Sequence, residues 1–215
     1  MNVARLNQKE LLVQVDIAVQ AALKIPDLIQ AFQAAGIDAE KIKVGLNFTK
    51  EVTTWRDRQT ASTNNVRRTQ QSFRSAKETI NSLYYRHLEA ARFLHRDNEE
   101  MQYTLQLLGP RQTRYAAWFE QVRTFYDYVD VKALQPFGVS AKEVNEIKKL
   151  LGQLAELQVL RNDARRQSQQ TTHKKQMAVN DLRNWFRRFI NAAKFACQDD
   201  PQLLESMGIV VPANS

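Results

Sequence analysis

The feature that most constrains the fold is a pair of long tracts without glycine or proline. Neither residue occurs between Leu46 and Leu108 or between Gln153 and Asp200. Folds built from short strands need frequent turns, and those turns use these two residues. Hydrophobic residues make up 43% of the chain and charged residues 25%, which is the balance of a globular protein. The sequence therefore predicts an all-α protein.

Two seven-residue segments, 36–42 and 138–144, lie 102 positions apart and share one design. Each opens with glycine, which ends the preceding element because a positive φ costs it little. Asp38 and Ser140 then stand where a side-chain oxygen can cap the first turn of a helix. Ser140 also has Glu143 three residues later, the spacing of a capping box. Each segment therefore predicts the start of a helix.

The same offset aligns Ala90–Phe93 with Ala192–Phe195. Matched helix signals at a fixed offset are typical of internal duplication. We therefore predict a tandem duplication of a helical unit, with a first helical repeat over 1–109 and a second over 110–215. Each copy has about three main helices plus short ones, in an antiparallel helical bundle. The alignment is expected to slip by a few residues near the end of each copy.

The connection between the second and third helices of each copy has two interpretations. Apolar periodicity disappears over 60–71 and 161–176, where Ser, Thr and Asn compete for backbone hydrogen bonds. A hairpin turn in each stretch is the interpretation we favour, with antiparallel helices burying the flanking apolar stripes. The alternative is one unbroken helix through each tract.

Catalytic and metal-binding patterns are not found in the sequence. None of the three histidines has Glu three residues before it, as di-iron bundles require. His87 is expected to be partly buried and structural, and the single cysteine, Cys197, half-buried and inert. There is no glycine-rich phosphate loop. We predict no catalytic, cofactor-binding or metal-binding residues; an enzyme or small-ligand-binding bundle without a recognisable motif is a further alternative.

Basic residues concentrate in the two polar stretches, and the chain carries a net charge of +8. If each stretch is a hairpin tip, its cations could bind the phosphates of nucleic acid or an anionic surface. The competing interpretation is a solvated positive face. The candidate anion-binding residues are Arg56, Arg58, Arg67, Arg68, Arg74, Lys77, Arg161, Arg165, Arg166, Lys174 and Lys175.

The sequence favours a non-catalytic structural or protein-interaction module without a cofactor. A protein partner or self-association is expected, with nucleic acid as the alternative partner. Aromatic residues that exceed one helical face, such as Trp118 and Tyr128, are candidates for a pocket or an interface. No stretch is long and apolar enough to be a transmembrane segment, and no secretory signal is visible, so a cytoplasmic location is expected.

Overall fold

The computed structural model describes residues 3–209, and these residues form helices and connecting segments without a strand. The prediction of an all-α fold is confirmed. The α-helices are α1 (Gln8–Lys24), α2 (Pro26–Ala34), α3 (Ala39–Leu94), α4 (Glu99–Thr104), α5 (Tyr115–Tyr128), α6 (Val131–Leu134) and α7 (Ala141–Ala196). Short 3₁₀ segments cover Val3–Arg5, Gln135–Phe137 and Pro201–Met207.

The start of α3 has the predicted cap. Gly36 takes a φ of 74° and ends the preceding turn. Asp38 Oδ1 then accepts a hydrogen bond from the backbone N–H of Lys41 at 2.8 Å. This bond holds the pKa of Asp38 below its ordinary value.

The start of α7 repeats this arrangement 102 residues later. Gly138 takes a φ of 80°. Ser140 Oγ accepts from the N–H of Glu143 at 3.2 Å, and Glu143 Oε2 accepts from the N–H of Ser140 at 3.1 Å. The predicted capping box is therefore present.

The hairpin expected in each polar stretch is wrong, because α3 and α7 are each one unbroken helix of 56 residues. The hydroxyl groups bond within their own helix instead of opening it. Thr60 Oγ1 donates to the carbonyl of Arg56 at 3.1 Å, and Thr172 Oγ1 to that of Ser168 at 2.8 Å. Such bonds to a carbonyl one turn earlier are compatible with helix.

In the polar stretches, hydrogen bonds between α3 and α7 take the place of apolar packing. The hydroxyls of Ser62 and Thr171 lie 2.8 Å apart. The Gln59 amide donates to Thr172 Oγ1 at 3.0 Å. Helices that pair through hydroxyls and amides leave no hydrophobic periodicity in the sequence, which is why this pairing was not foreseen.

The chain divides into two compact units. Within the described residues, unit 1 comprises 3–63 and 167–209, and unit 2 comprises 64–166. Each unit therefore contains one half of α3 and one half of α7. These units are defined by contacts within the structure, whereas the predicted repeats 1–109 and 110–215 concern similarity of sequence.

The core of unit 1 is apolar and rich in aromatic side chains. The rings of Phe32 and Phe189 stack with their centroids 5.7 Å apart. Phe186 is fully buried beside them. Gly45 of α3 lies against Trp185, so closely that a Cβ atom at position 45 would lie 2.2 Å from the indole ring.

The core of unit 2 is also rich in aromatic side chains, and it contains two buried polar residues, His87 and Gln121. Tyr84 contacts Phe125 edge-on with centroids 5.3 Å apart, and Leu134 and Ile147 are fully buried. His87 is also fully buried. Its partners are described with the candidate site.

The sequence also predicts helix starts at Asp97, at Asp200-Pro201 and at about Gln112. The cap of α4 is Asn98 rather than Asp97, and its side chain accepts from the N–H of Met101 at 3.1 Å. Helix α5 begins at Tyr115. Asp200 does open the last 3₁₀ segment, where it accepts from the N–H of Gln202 at 3.2 Å.

Two turns near the ends of the aligned segments also lie 102 residues apart. Gln106 and Gly208 both adopt positive φ, at 52° and 70°. The following N–H groups, of Leu107 and Ile209, both bond to the carbonyl five residues earlier, at 2.9 and 3.0 Å. Both turns therefore share one conformation.

Candidate functional site

The basic candidates fall into different groups from those the sequence suggested. The predicted hairpin tips are absent, because the basic candidates lie along the middle of the unbroken helices α3 and α7. Unit 1 contains four of them: Arg56, Arg58, Lys174 and Lys175. Unit 2 contains the other seven: Arg67, Arg68, Arg74, Lys77, Arg161, Arg165 and Arg166.

In unit 1 two of the basic residues lie against the ring of a half-buried tryptophan, Trp55. The Arg58 guanidinium lies 4.7 Å from the ring centroid of Trp55, and Lys174 Nζ lies 4.9 Å from it. Arg56 pairs with its neighbour Asp57 at 3.1 Å. Trp55 thus contacts one cation from α3 and one from α7. These cation–π contacts do not neutralise the two charges.

In unit 2 the most enclosed candidate is Arg161. Its guanidinium lies 4.1 Å from the ring centroid of Phe73, and burial lowers the pKa of Arg161 from its ordinary value. Arg165 donates to the side-chain oxygen of Gln70 at 3.3 Å. These contacts join α3 to α7 within unit 2, so both arginines have a packing role.

Other candidates in unit 2 differ in how far carboxylates neutralise them. Arg74 pairs with Glu78 at 2.8 Å and Arg166 with Asp163 at 2.6 Å, both on the surface of their own helix. Arg67 and Arg68 are exposed, and neither forms an ion pair with any residue in 3–209. Arg67 and Arg68 therefore place uncompensated positive charge on the surface of α3.

A buried polar network lies inside unit 2. His87 Nδ1 lies 2.9 Å from the hydroxyl oxygen of Tyr126 on α5, and both side chains are essentially inaccessible. His87 Nε2 lies 3.8 Å from a carboxylate oxygen of Glu143 on α7. Burial lowers the pKa of His87 and raises that of Tyr126, so both groups are neutral near pH 7.

Glu143 joins this network to the surface. Its carboxylate accepts from the backbone and hydroxyl of Ser140 and from the Arg86 guanidinium. The bond from the Ser140 N–H and the one from Arg86 lower the pKa of Glu143 to about 2. The carboxylate is therefore ionised and fully engaged in structural bonds.

This network does not resemble a catalytic arrangement. A general base needs a substrate proton within hydrogen-bond reach, and His87 is sealed inside the core. The structural role expected of His87 fits this burial, which is complete rather than partial. Cys197 is likewise buried rather than half-buried, and burial raises the pKa of its thiol. Over residues 3–209, no three His, Cys, Asp or Glu side chains are close enough to share a metal ion.

Two exposed phenylalanines were not among the candidates that the sequence suggested. Phe93 and Phe195, which lie 102 residues apart near the ends of α3 and α7, are both 62% exposed. Phe93 contacts Phe137 with centroids 5.6 Å apart. The signal was present, since both belong to the aligned Ala-Ala-Arg-Phe and Ala-Ala-Lys-Phe segments, but these had been used only to support the repeat.

The two aromatic residues singled out from the sequence differ from each other. Trp118 is only 3% exposed, and its indole N–H donates to Asn81 Oδ1 at 2.7 Å. Tyr128, at the end of α5, is 64% exposed. Trp118 forms part of the wall of an open cleft in unit 2, which also contains Lys77 and Arg111.

Comparison with protein-family models finds no matching family, and comparisons with curated proteins and solved structures find no match either. Among the helices in residues 3–209, none has an apolar stretch of the length that a bilayer crossing requires.

Proposed function

We propose that the chain is a tandem duplication of one helical unit and serves as a non-catalytic protein-interaction module. In this proposal Phe93 and Phe195 are its main contact residues. The observation that carries it is that these two residues, at equivalent positions, keep the same large exposed fraction, 62% each.

The duplication is supported by four matched features at one offset of 102 residues. The starts of α3 and α7 share glycine conformation and side-chain cap, and the two helices share a length of 56 residues. The turns at Gln106 and Gly208 share a positive φ. Chance similarity of composition would not preserve such backbone detail over 70 residues.

An interaction role follows from the energetic cost of the exposed rings. A phenylalanine that contributed only to the core would be buried, whereas these two leave most of their apolar surface in water. Covering such a ring on a partner gains roughly 1–2 kcal/mol. Aromatic side chains in this situation are frequent anchors of protein interfaces. A partner that uses both positions would gain from two linked contacts.

The decisive experiment compares the wild type with the double variant Phe93→Ser, Phe195→Ser. Tyr128→Ser serves as a matched control, because Tyr128 is equally exposed but has no equivalent in unit 1. Sedimentation equilibrium over a wide concentration range reports self-association. Photo-crosslinking from the neighbouring exposed positions 96 and 198, which are the same in the wild-type and variant backgrounds, reports another protein partner in cell extract.

We expect the double variant to lose the wild-type dimer or the crosslinked partner, and the control to retain it. Retention of both the same oligomeric state and the same captured partners by the double variant would overturn the proposal. Circular dichroism of each variant verifies that the helices are intact.

A second candidate, binding of nucleic acid or an anionic surface, is favoured by the uncompensated cations at Arg67 and Arg68. Mobility of mixed nucleic acids on a gel at low and moderate salt tests it, because phosphate contacts weaken steeply with salt. Charge reversal at Arg67, Arg68, Arg165 and Arg166 should abolish any shift. A wild type that shifts no nucleic acid even at low salt would eliminate this candidate.

A further inference from the structure

We infer that the open cleft of unit 2 is a binding site for a small phosphomonoester, such as a sugar phosphate. The cleft has a volume of about 470 Å³ and is lined by Lys77, Asn81, Arg111, Gln112, Thr113 and Trp118. None of these residues is an acid. The inference is independent of the interaction role proposed above, since neither Phe93 nor Phe195 contributes to the cleft.

Two cations enter the cleft, and aromatic rings rather than carboxylates hold them. Lys77 Nζ lies 4.8 Å from the ring centroid of Trp118, and the Arg111 guanidinium lies 4.8 Å from that of Tyr85. Within residues 3–209 neither cation forms an ion pair. A ring restricts a cation without neutralising it, so both charges remain available to an anion.

Two neutral side chains of the cleft, Asn81 and Thr113, can donate hydrogen bonds to a ligand. Asn81 Oδ1 accepts from the Trp118 indole, so the amide N–H₂ of Asn81 needs another acceptor. The backbone N–H of Gln112 donates to the buried side-chain oxygen of Gln121 at 3.0 Å, and this bond holds the segment that lines the cleft. The Thr113 hydroxyl supplies one more donor. A phosphate, with several acceptor oxygens, matches this set.

The beginning of α5 adds to the positive potential beside the cleft. Its N-cap residue, Arg114, makes no side-chain bond to the first turn, unlike the caps of α1, α4 and α7. The unpaired N–H groups of a first turn and the helix dipole both favour a nearby anion. This feature supports the cation pair and is not needed for the inference.

The size of the cleft favours an organic phosphate over the inorganic ion. Sites for small organic molecules enclose roughly 300–1,000 Å³, and this cleft lies within that range. A phosphate group drawn to these cations would leave room in the cleft for a sugar-sized polar body. The amide of Gln112 and the hydroxyl of Thr113 are suited to hydrogen-bond such a body.

Titration with ribose 5-phosphate, followed by the indole N–H signals in a nitrogen–proton NMR spectrum, tests the inference. The chain has three tryptophans, so each indole gives its own signal. We expect ribose 5-phosphate to move the Trp118 signal in a saturable manner. Ribose should leave it unchanged, and inorganic phosphate should bind more weakly.

Lys77→Met and Arg111→Met are the test variants, and each should weaken binding about tenfold or more. Arg74→Met is the matched control: Arg74 lies about one turn from Lys77 on α3, but it pairs with Glu78 and does not line the cleft. Two results would overturn the inference. One is the absence of a saturable Trp118 shift, and the other is equal weakening by Arg74→Met, which would indicate binding to overall charge. Because the two test variants lie on different segments, misfolding of one leaves the other decisive.

Discussion

Inside unit 2, Nδ1 of His87 and the hydroxyl oxygen of Tyr126 lie 2.9 Å apart, in a core that otherwise resembles that of unit 1. The residue 102 positions after His87 is Phe189, which stacks on Phe32 in unit 1. One core therefore contains a polar pair where the other has aromatic stacking. The stability of unit 2 should therefore depend on pH through His87, whereas Phe189 in unit 1 does not titrate.

The first prediction concerns that dependence. Because burial lowers the pKa of His87, the folded protein resists protonation, whereas the unfolded chain takes up a proton below about pH 6.5. The free energy of unfolding should therefore fall as the pH drops below about 6.5, by up to ~1.4 kcal/mol per pH unit. The double variant His87→Phe, Tyr126→Phe should remove this slope in urea unfolding. His173→Gln, at an exposed position, is the control; an unchanged slope in the double variant would refute the assignment.

Tyr84 supports a second prediction about the same core. Its hydroxyl is buried without a hydrogen-bond partner among the described residues, and burial raises the pKa of Tyr84 to about 12. The equivalent residue in unit 1 is Phe186. Removing an unpaired buried hydroxyl relieves a desolvation penalty, so Tyr84→Phe should stabilise the protein by about 1 kcal/mol. Thermal unfolding measures this gain, and a loss would indicate a partner for the hydroxyl.

The sequence predicted where α3 and α7 begin better than it predicted that each continues unbroken through its polar middle. The caps at Asp38 and Ser140 were predictable because capping is local: the donors lie three residues away in the chain. The continuity of α3 and α7 was not, since it depends on contacts such as that between Ser62 and Thr171, 109 residues apart. A helix that pairs through polar groups gives no periodic apolar signal.

Candidate sites show the same limit. Eleven basic residues were identified by their clustering in the chain, yet Lys77 gains significance only from Trp118 and Arg111, which lie in other segments. Sequence reasoning had no access to which cations are neutralised by a neighbour. Phe93 and Phe195 were recognisable as equivalent, but only the structure reveals that both are exposed.

The capping carboxylate Glu143 supports a third prediction. Hydrogen bonds from Ser140 and Arg86 lower the pKa of Glu143 to about 2, against an ordinary value of 4.5. A lowered carboxylate pKa stabilises the fold above pH 4.5, and this contribution is lost as the pH falls from 4.5 towards about 2. Glu143→Gln should therefore cost about 1 kcal/mol near neutral pH, and the gap to wild type should close in acid. Glu146→Gln, exposed on the same helix, should show no such convergence in urea unfolding at several pH values.

Two helical glycines support a fourth prediction: the same substitution should stabilise the protein at one position and destabilise it at the other. An alanine normally stabilises a helix by up to about 1 kcal/mol relative to glycine. At Gly152 a Cβ atom would meet nothing within 4 Å, so Gly152→Ala should show that gain. At Gly45 the Cβ would lie 2.2 Å from the ring of Trp185, so Gly45→Ala should instead cost roughly 1–3 kcal/mol. Equal effects of the two substitutions in thermal unfolding would contradict the close packing of α3 on Trp185.

The final prediction uses the matched turns at Gln106 and Gly208. Gln106 adopts a φ of 52°, a conformation that costs a side chain-bearing residue roughly 1 kcal/mol but costs glycine little. Gln106→Gly should therefore stabilise the protein by up to about 0.5 kcal/mol after the greater freedom of glycine in the unfolded chain is counted. The reverse change, Gly208→Gln, should destabilise it, because its Cβ would also lie 3.1 Å from Gln14 Oε1. Chemical denaturation of both variants measures the two effects, and a destabilised Gln106→Gly would show that the glutamine side chain stabilises its turn by more than the backbone strain costs.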